Sequence, residues 1–229
     1  LDREAAKETL REITALDPDD DSAFTDLGDL ERLSGTLERA LAAYQAALAI
    51  DRRKDEPRGI SVDLNRIGDV LVEQGNLPEA LKNFRDGLRI RERLAGSDPG
   101  NAGWQRDLSV SFNKIGDVLV AQGNLPEALK SFRDGLAIAE RLAGSDPGNA
   151  GWQFDLGIST ERIGNVLMAQ GNLGEALSRY RAKRDIIGRL SKTDPGNAGW
   201  QRDLSVALEK VGDVLVAQGN LPEALKSFR

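Results

Sequence analysis

The side chains of this sequence suited to acid–base chemistry are carboxylates, because histidine and cysteine are both absent. Without imidazole, the commonest general base and metal ligand is missing. Without thiols there is no cysteine nucleophile, thiolate metal site or disulfide. Asp69, Glu73 and Glu79 lie close enough along the chain to pair for proton transfer. Yet Asp69 returns as Asp117 and Asp213. An active site is one constellation, whereas a column repeated along a chain has a surface or capping role. The loop Gly123-Asn124-Leu125-Pro126-Glu127 lacks the glycine spacing and the Lys-Ser/Thr of a phosphate loop. Asp146-Pro147-Gly148-Asn149 lacks the alternating acids and closing Glu of a calcium loop. Both read as turns. The sequence points away from catalysis and calls for no cofactor and no metal.

The elements that must carry these residues repeat. Ile67-Gly68, Ile115-Gly116, Ile163-Gly164 and Val211-Gly212 follow one another at 48 residues, and Trp104, Trp152 and Trp200 keep the same step. Residues 97–133 match residues 193–229 at 32 of 37 positions. Within one period Leu108, Phe112, Ile115 and Leu119 recur at three and four, the stripe of an amphipathic helix. Gly123 closes that helix, and Asn124, Pro126 and Glu127 open a second with a cap, a first-turn proline and a capping-box acid. Its stripe runs Leu125, Ala128, Leu129, Phe132, Leu136 and Ile138. Asp146-Pro147-Gly148 ends it, and Asn149 caps the next helix. The tryptophans admit two readings. They form a ladder for a ligand, or each pins the loop before it against Leu94, Leu142 or Leu190, as a first-turn aromatic does.

These residues resemble the tetratricopeptide repeat. Gly116 and Ala128 stand where that family packs its two helices closely, and Phe112, Ile115, Leu119, Gly123, Phe132 and Gly135 occupy further signature columns. Phe24, Leu27, Gly28, Gly35, Ala40, Tyr44 and Ala47 repeat the pattern near the start, with a step of 40 from Gly28 to Gly68. The family period is about 34 residues, so the later units carry longer helices, and a first helix runs from Ala102 to Gln122. Such repeats are similar to those of kinesin light chains and of many bacterial signalling proteins. Arg exceeds Lys, 22 to 9, as in GC-rich bacterial sequences. At Lys183 and Arg184, which replace Gly135 and Leu136, close packing is not expected.

The resemblance implies an all-α, right-handed superhelical solenoid of antiparallel helix pairs, about eleven helices in one domain. Its expected parts are residues 1–20, the second helix of a preceding repeat; repeats at 21–56, 57–100, 101–148 and 149–196; and an incomplete repeat at 197–229. In this family the first helix of each pair lines the concave groove. The matching residues form four columns: Asn65, Asn113, Glu161 and Glu209; Arg66, Lys114, Arg162 and Lys210; Asp69, Asp117, Asn165 and Asp213; and Val72, Val120, Met168 and Val216. As a groove, they offer an apolar floor with charged walls to a partner peptide or helix. As packing, Lys114 and Asp117 are i,i+3 partners and the valines meet neighbouring helices. The acids at 69, 117 and 213 would repel a terminal carboxylate, so the chaperone-tail clamp of some relatives is not expected.

The resemblance thus implies a non-catalytic protein–protein interaction scaffold. Two alternatives stand beside it. Near-identical units could stack end to end, with Leu221, Leu225 and Phe228 on the terminal helix as the self-association face. The segment could also be the regulatory arm of a larger signalling enzyme, since it opens at Leu1 and stops partway through a repeat. A net charge of −6 argues against nucleic acid. No apolar run is long enough for a membrane span. The segment shows no targeting signal, and a cytoplasmic location is expected.

Overall fold

The turn inside each helix pair follows from two residues. A glycine with φ near +77° (Gly75, Gly123 and their counterparts) takes the left-handed conformation that ends the first helix. Except after Gly35, where Thr36 makes no side-chain cap, the asparagine after this glycine caps the second: Asn124 Oδ1 accepts from the Glu127 backbone N–H at 3.4 Å. Asn149 and Asn197 do the same for later first helices, accepting from the backbone N–H of Trp152 and Trp200 at 3.0 and 3.1 Å.

A computed structural model describes residues 3–228. Residues 1, 2 and 229, at the ends of the first and last expected segments, lie outside the described residues. The helices are α1 (Arg3–Leu16), α2 (Asp21–Leu33), α3 (Leu37–Lys54), α4 (Pro57–Glu73), α5 (Leu77–Ser97), α6 (Ala102–Ala121), α7 (Leu125–Ser145), α8 (Ala150–Ala169), α9 (Leu173–Thr193), α10 (Ala198–Ala217) and α11 (Leu221–Ser227). There is no strand among the described residues. The fold is all-α, with eleven described helices as expected. α6 ends at Ala121, one residue short of the sequence reading.

The chain divides between Trp104 and Gln105 into two compact units. In the first, α1 through α5 pack each on the next. α1 is tied down by a charged seam: Lys7 and Glu31 are 3% and 2% exposed, and Arg11 reaches Glu31 at 2.6 Å. In the second, α7 through α11 pack in sequence. α6 is held to α7 by Ser109 Oγ donating to the Gly135 carbonyl and Ser131 Oγ donating to the Phe112 carbonyl, both at 2.8 Å.

Four helix pairs close on a buried aromatic ring of the second helix. Phe84, Phe132, Tyr44 and Tyr180 are all buried. The first helix offers a glycine beneath each ring. A Cβ at Gly68 would stand 2.5 Å from Phe84 Cε1, so no side chain fits there. The two predicted stripes supply the rest. Ile115, Leu119, Ala128, Phe132, Leu136 and Ile138 are buried, while Leu108, Phe112, Leu125 and Leu129 are half-buried.

Candidate functional site

The basic and acidic columns meet each other across successive first helices. In the first unit Arg66 on α4 binds Asp29 on α2 through Nε and Nη2, both at 3.1 Å. Arg32 on α2 answers in the other direction, reaching Glu73 at 2.6 Å and Asp69 at 3.7 Å. In the second unit Arg162 on α8 holds Asp117 on α6 with Nε and Nη2 at 2.8 and 2.9 Å. Arg106 on α6 grips Asp155 on α8 at 2.5 and 3.2 Å. The guanidinium fork suits this two-point contact. Each pair is part-exposed, so its contribution is about 0.2–1 kcal/mol. Their main effect is to fix one helix against the next.

The tyrosines extend this ladder. Tyr44 OH donates to Asp29 Oδ1 at 2.6 Å, and the Arg66 guanidinium lies 5.9 Å from the Tyr44 ring centroid. Tyr180 OH donates to Asn165 Oδ1 at 2.8 Å. Burial, with the nearby Glu161 and Asp213 charges, pushes the Tyr180 hydroxyl up to about 12.

The first column enters the helix seams at Asn65, Asn113 and Glu161. Asn65 and Asn113 are 5% and 8% exposed. The Asn65 carboxamide oxygen, in its satisfied orientation, accepts from Arg91 Nη2 at 2.9 Å, and Arg91 Nε also meets Ser61 Oγ at 3.2 Å. Asn113 Nδ2 donates to Ser159 Oγ at 2.9 Å. Glu161 forms an ion pair with Lys183, whose side chain is 3% exposed. This pair explains why packing survives where glycine is lost. Lys183 stands in register with Gly135, and its ammonium meets an acid that stands where Asn113 does. Arg184, half-buried, turns to Asp185 at 2.7 Å. Glu209 and Asp213 are exposed, and Lys210 is half-buried.

The fourth column is open to solvent at Val72, Val120 and Val216, which are 38, 40 and 48% exposed, while Met168 is half-buried. In the second unit the columns border a cleft of about 230 Å³ between α6 and α8, backed by Ala139 and Leu142 of α7. Asn113, Lys114, Asp117 and Arg162 line it beside Val110, Ile158 and Trp152. Trp152 is half-buried and lines the cleft beside the buried Leu142. The arrangement offers an apolar slot between charged rims and no proton relay. Among the described residues no cluster of three or more acids is arranged to hold a metal, and no helix is long and apolar enough to cross a membrane.

Sequence reasoning missed the buried charges at Lys7, Glu31, Asp51, Asp63 and Arg91. For Asp63 a signal existed. Ser111, Ser159 and Ala207 stand in register with it, and all are 0% exposed. A carboxylate among such small, enclosed residues marks an exception.

Tetratricopeptide repeat models match residues 19–97 and 109–147, together just over half of the chain. The chain belongs to the tetratricopeptide repeat family. Among solved tetratricopeptide-like structures, BtubC (BKLC) from P. vanneervenii superposes with a TM-score of 0.75 at 16% identity, over 98% of this chain and 85% of that one. A kinesin-light-chain candidate from Podosopora anserina, with nearly identical TPR-like repeats, gives 0.67 at 14% identity over 92% of both chains. At these identities the likeness is one of fold. The CTR9 homolog of Arabidopsis thaliana is 36% identical over 85 residues, 37% of this chain and only 8% of that protein. Tetratricopeptide arrays are protein–protein interaction scaffolds.

Proposed function

We propose that this chain binds an extended or helical peptide segment of a partner protein along the first-helix face of its second unit. One observation carries the reading: the cleft between α6 and α8 combines apolar walls (Val110, Trp152, Ile158) with charged rims (Lys114, Asp117, Arg162). Val120 lies three residues beyond Asp117 on the same helical face and is 40% exposed, extending the apolar surface past the rim. Such a surface takes apolar anchors at alternate or i, i+3/i+4 spacing and orients them by charge. No step of chemistry is assigned to it.

A panel of displayed random peptides, selected on the protein, tests this. Peptides enriched on the wild type should lose binding to Val120→Glu and Ile158→Glu, and keep it for Val72→Glu, which lies outside the cleft. Helicity and melting should be unchanged by Val120→Glu. Equal capture by the wild type, Val120→Glu and Ile158→Glu would sink the reading.

A second reading, association of two copies through α11, rests on Leu221, Leu225 and Phe228, which are 62, 53 and 50% exposed. Light scattering behind size exclusion checks it. Mass that rises with concentration and falls back in Leu225→Glu supports it, and a constant mass near 24.8 kDa overturns it.

A further inference from the structure

At one place in the first unit three departures from the repeat meet. The residues in register with Gly59 are Asp107, Asp155 and Asp203. Those in register with Asp63 are the small buried Ser111, Ser159 and Ala207. On the second helices, Asp51 stands in register with Arg91, Ala139 and Ile187. A carboxylate is thus missing from position 59, while two others are set deep in the adjoining space. Asp51 and Asp63 are 4% and 2% exposed. The glycine is what admits them, because a Cβ at Gly59 would overlap the Asp51 carboxylate.

These groups line a pocket of about 550 Å³ where α2, α3 and α4 meet. Thr25 Oγ1 stands 3.5 Å from Asp63 Oδ1. Asp63 Oδ2 is buried and has no hydrogen-bond partner among the described residues. A buried oxygen in that condition is unfavourable, the more so when charged. Five acids line the pocket (Asp21, Asp26, Asp51, Glu56, Asp63) against Lys54, Arg58 and Arg66. Lys54 is engaged with one of these acids and Arg66 with an acid outside the pocket. Lys54 Nζ binds Asp21 Oδ1 at 2.6 Å and the Asp19 carbonyl at 2.8 Å. Arg66 is held by Asp29. Burial, together with the charges of Asp51 and Asp21, pushes the Asp63 carboxyl up to about 7, against a lowering by Arg66 and Thr25.

We propose that this pocket is a binding site for a primary ammonium group on an alkyl arm, received by Asp63, Asp51 and Thr25. The donor count fits. An ammonium presents three N–H bonds to separate directions, and three acceptors from three helices face this space. A guanidinium is a planar fork that needs both oxygens of one carboxylate side by side. Asp63 already turns one of its oxygens toward Thr25. A metal ion is disfavoured, because the acids here form no cluster arranged to hold one. The lysine side chain of a partner and a free small amine share the required chemistry. The site lies wholly in the first unit and does not depend on the cleft between α6 and α8.

The test uses n-butylammonium and Nα-acetyl-lysine methylamide as probes, with tetramethylammonium at equal ionic strength as the control without N–H donors. The ¹³C shift of the Asp63 carboxyl, assigned by its loss in Asp63→Ser, is followed against pH, and melting is measured at pH 8. Binding should lower the Asp63 midpoint by about half a pH unit or more, as an opposite charge at contact does, and should raise the melting temperature. Asp63→Ser carries the residue found in register and should fold without responding; Asp63→Asn is the isosteric second variant. A response to both probes identifies a lysine side chain as a fitting source. A response to n-butylammonium alone identifies a free amine. No response to either, an equal response in both variants, or a larger response to calcium than to the amines overturns the proposal.

Discussion

Replacing Lys183 by methionine should strand the Glu161 carboxylate in a seam it cannot leave. The lysine side chain is 3% exposed and the glutamate 16%. Breaking a buried ion pair by removing one partner costs about 3–5 kcal/mol. The glutamate retains some contact with water, so the lower end, about 3 kcal/mol, applies to Lys183→Met. Glu161→Gln, which strands the better-buried ammonium, should cost at least as much. Replacing both leaves no charge behind and keeps the volume, so the double variant should lie within about 1 kcal/mol of the wild type. The coupling is then about 5 kcal/mol, well beyond the range for residues that do not touch. Urea titration followed by helical circular dichroism measures all four corners of the cycle. For a chain of this size each single variant should lose about 6–12 °C in melting temperature. If the double variant loses the sum of the singles, near 6 kcal/mol, the two groups do not pair and this account of the α8–α9 seam is wrong.

Tyr44→Phe and Tyr180→Phe keep the ring seated on its glycine and remove only the hydroxyl. Urea midpoints should report a loss of about 1.5–3 kcal/mol for Tyr44, whose acceptor is the charged Asp29. Tyr180, bound to the neutral Asn165, should lose about 1 kcal/mol. Gly68→Ala would press a methyl into Phe84 and should cost about 1–3 kcal/mol in thermal melts, with partial recovery in Gly68→Ala/Phe84→Leu. For Asp63 the sign of the pH dependence is fixed by its raised carboxyl. The folded state binds this proton more tightly than the unfolded state does, so stability is full below about pH 4 and declines as pH rises towards 7. The loss is on the order of 3–4 kcal/mol across that window, and denaturation from pH 4 to 8 should show most of it absent in Asp63→Ser.

The helices were legible because their signals agree at every level. The Gly123-Asn124 turn, the Pro126 first turn and the two apolar stripes each point to the same helix pair, and the family resemblance adds to them. The charged columns were legible as columns but not as partners. Sequence spacing offered Asp117 to Lys114 one turn away, and the structure brings Arg162 of the next first helix to it as well. Which pairing prevails depends on how closely α8 approaches α6, a tertiary fact. Asn65 and Asn113 read as groove residues because a polar side chain on an amphipathic helix is expected to face water. Arg91 and Ser159 supply partners that make their burial affordable, and nothing local to either asparagine announces them.

The ladder of arginines and aspartates also bears on how this gene segment can change length. Arg66 and Arg162 each take an acid from the preceding period of their own unit, and the acid column is filled at Asp29, Asp69 and Asp117 alike. Deleting residues 101–148 as one block would bring Asp69 to the place that Asp117 holds, and Arg162 would still find a carboxylate. Glu161 and Lys183 would travel together, being carried on one helix pair. The chain can therefore gain or shed whole periods by unequal recombination between its near-identical stretches without stranding a charge. Asp51 and Asp63 are the exception, since they sit on opposite sides of a pair boundary. A crossover between them would separate Asp51 from Gly59 and Asp63, which fixes that junction in place while the rest of the array remains free to be counted up or down.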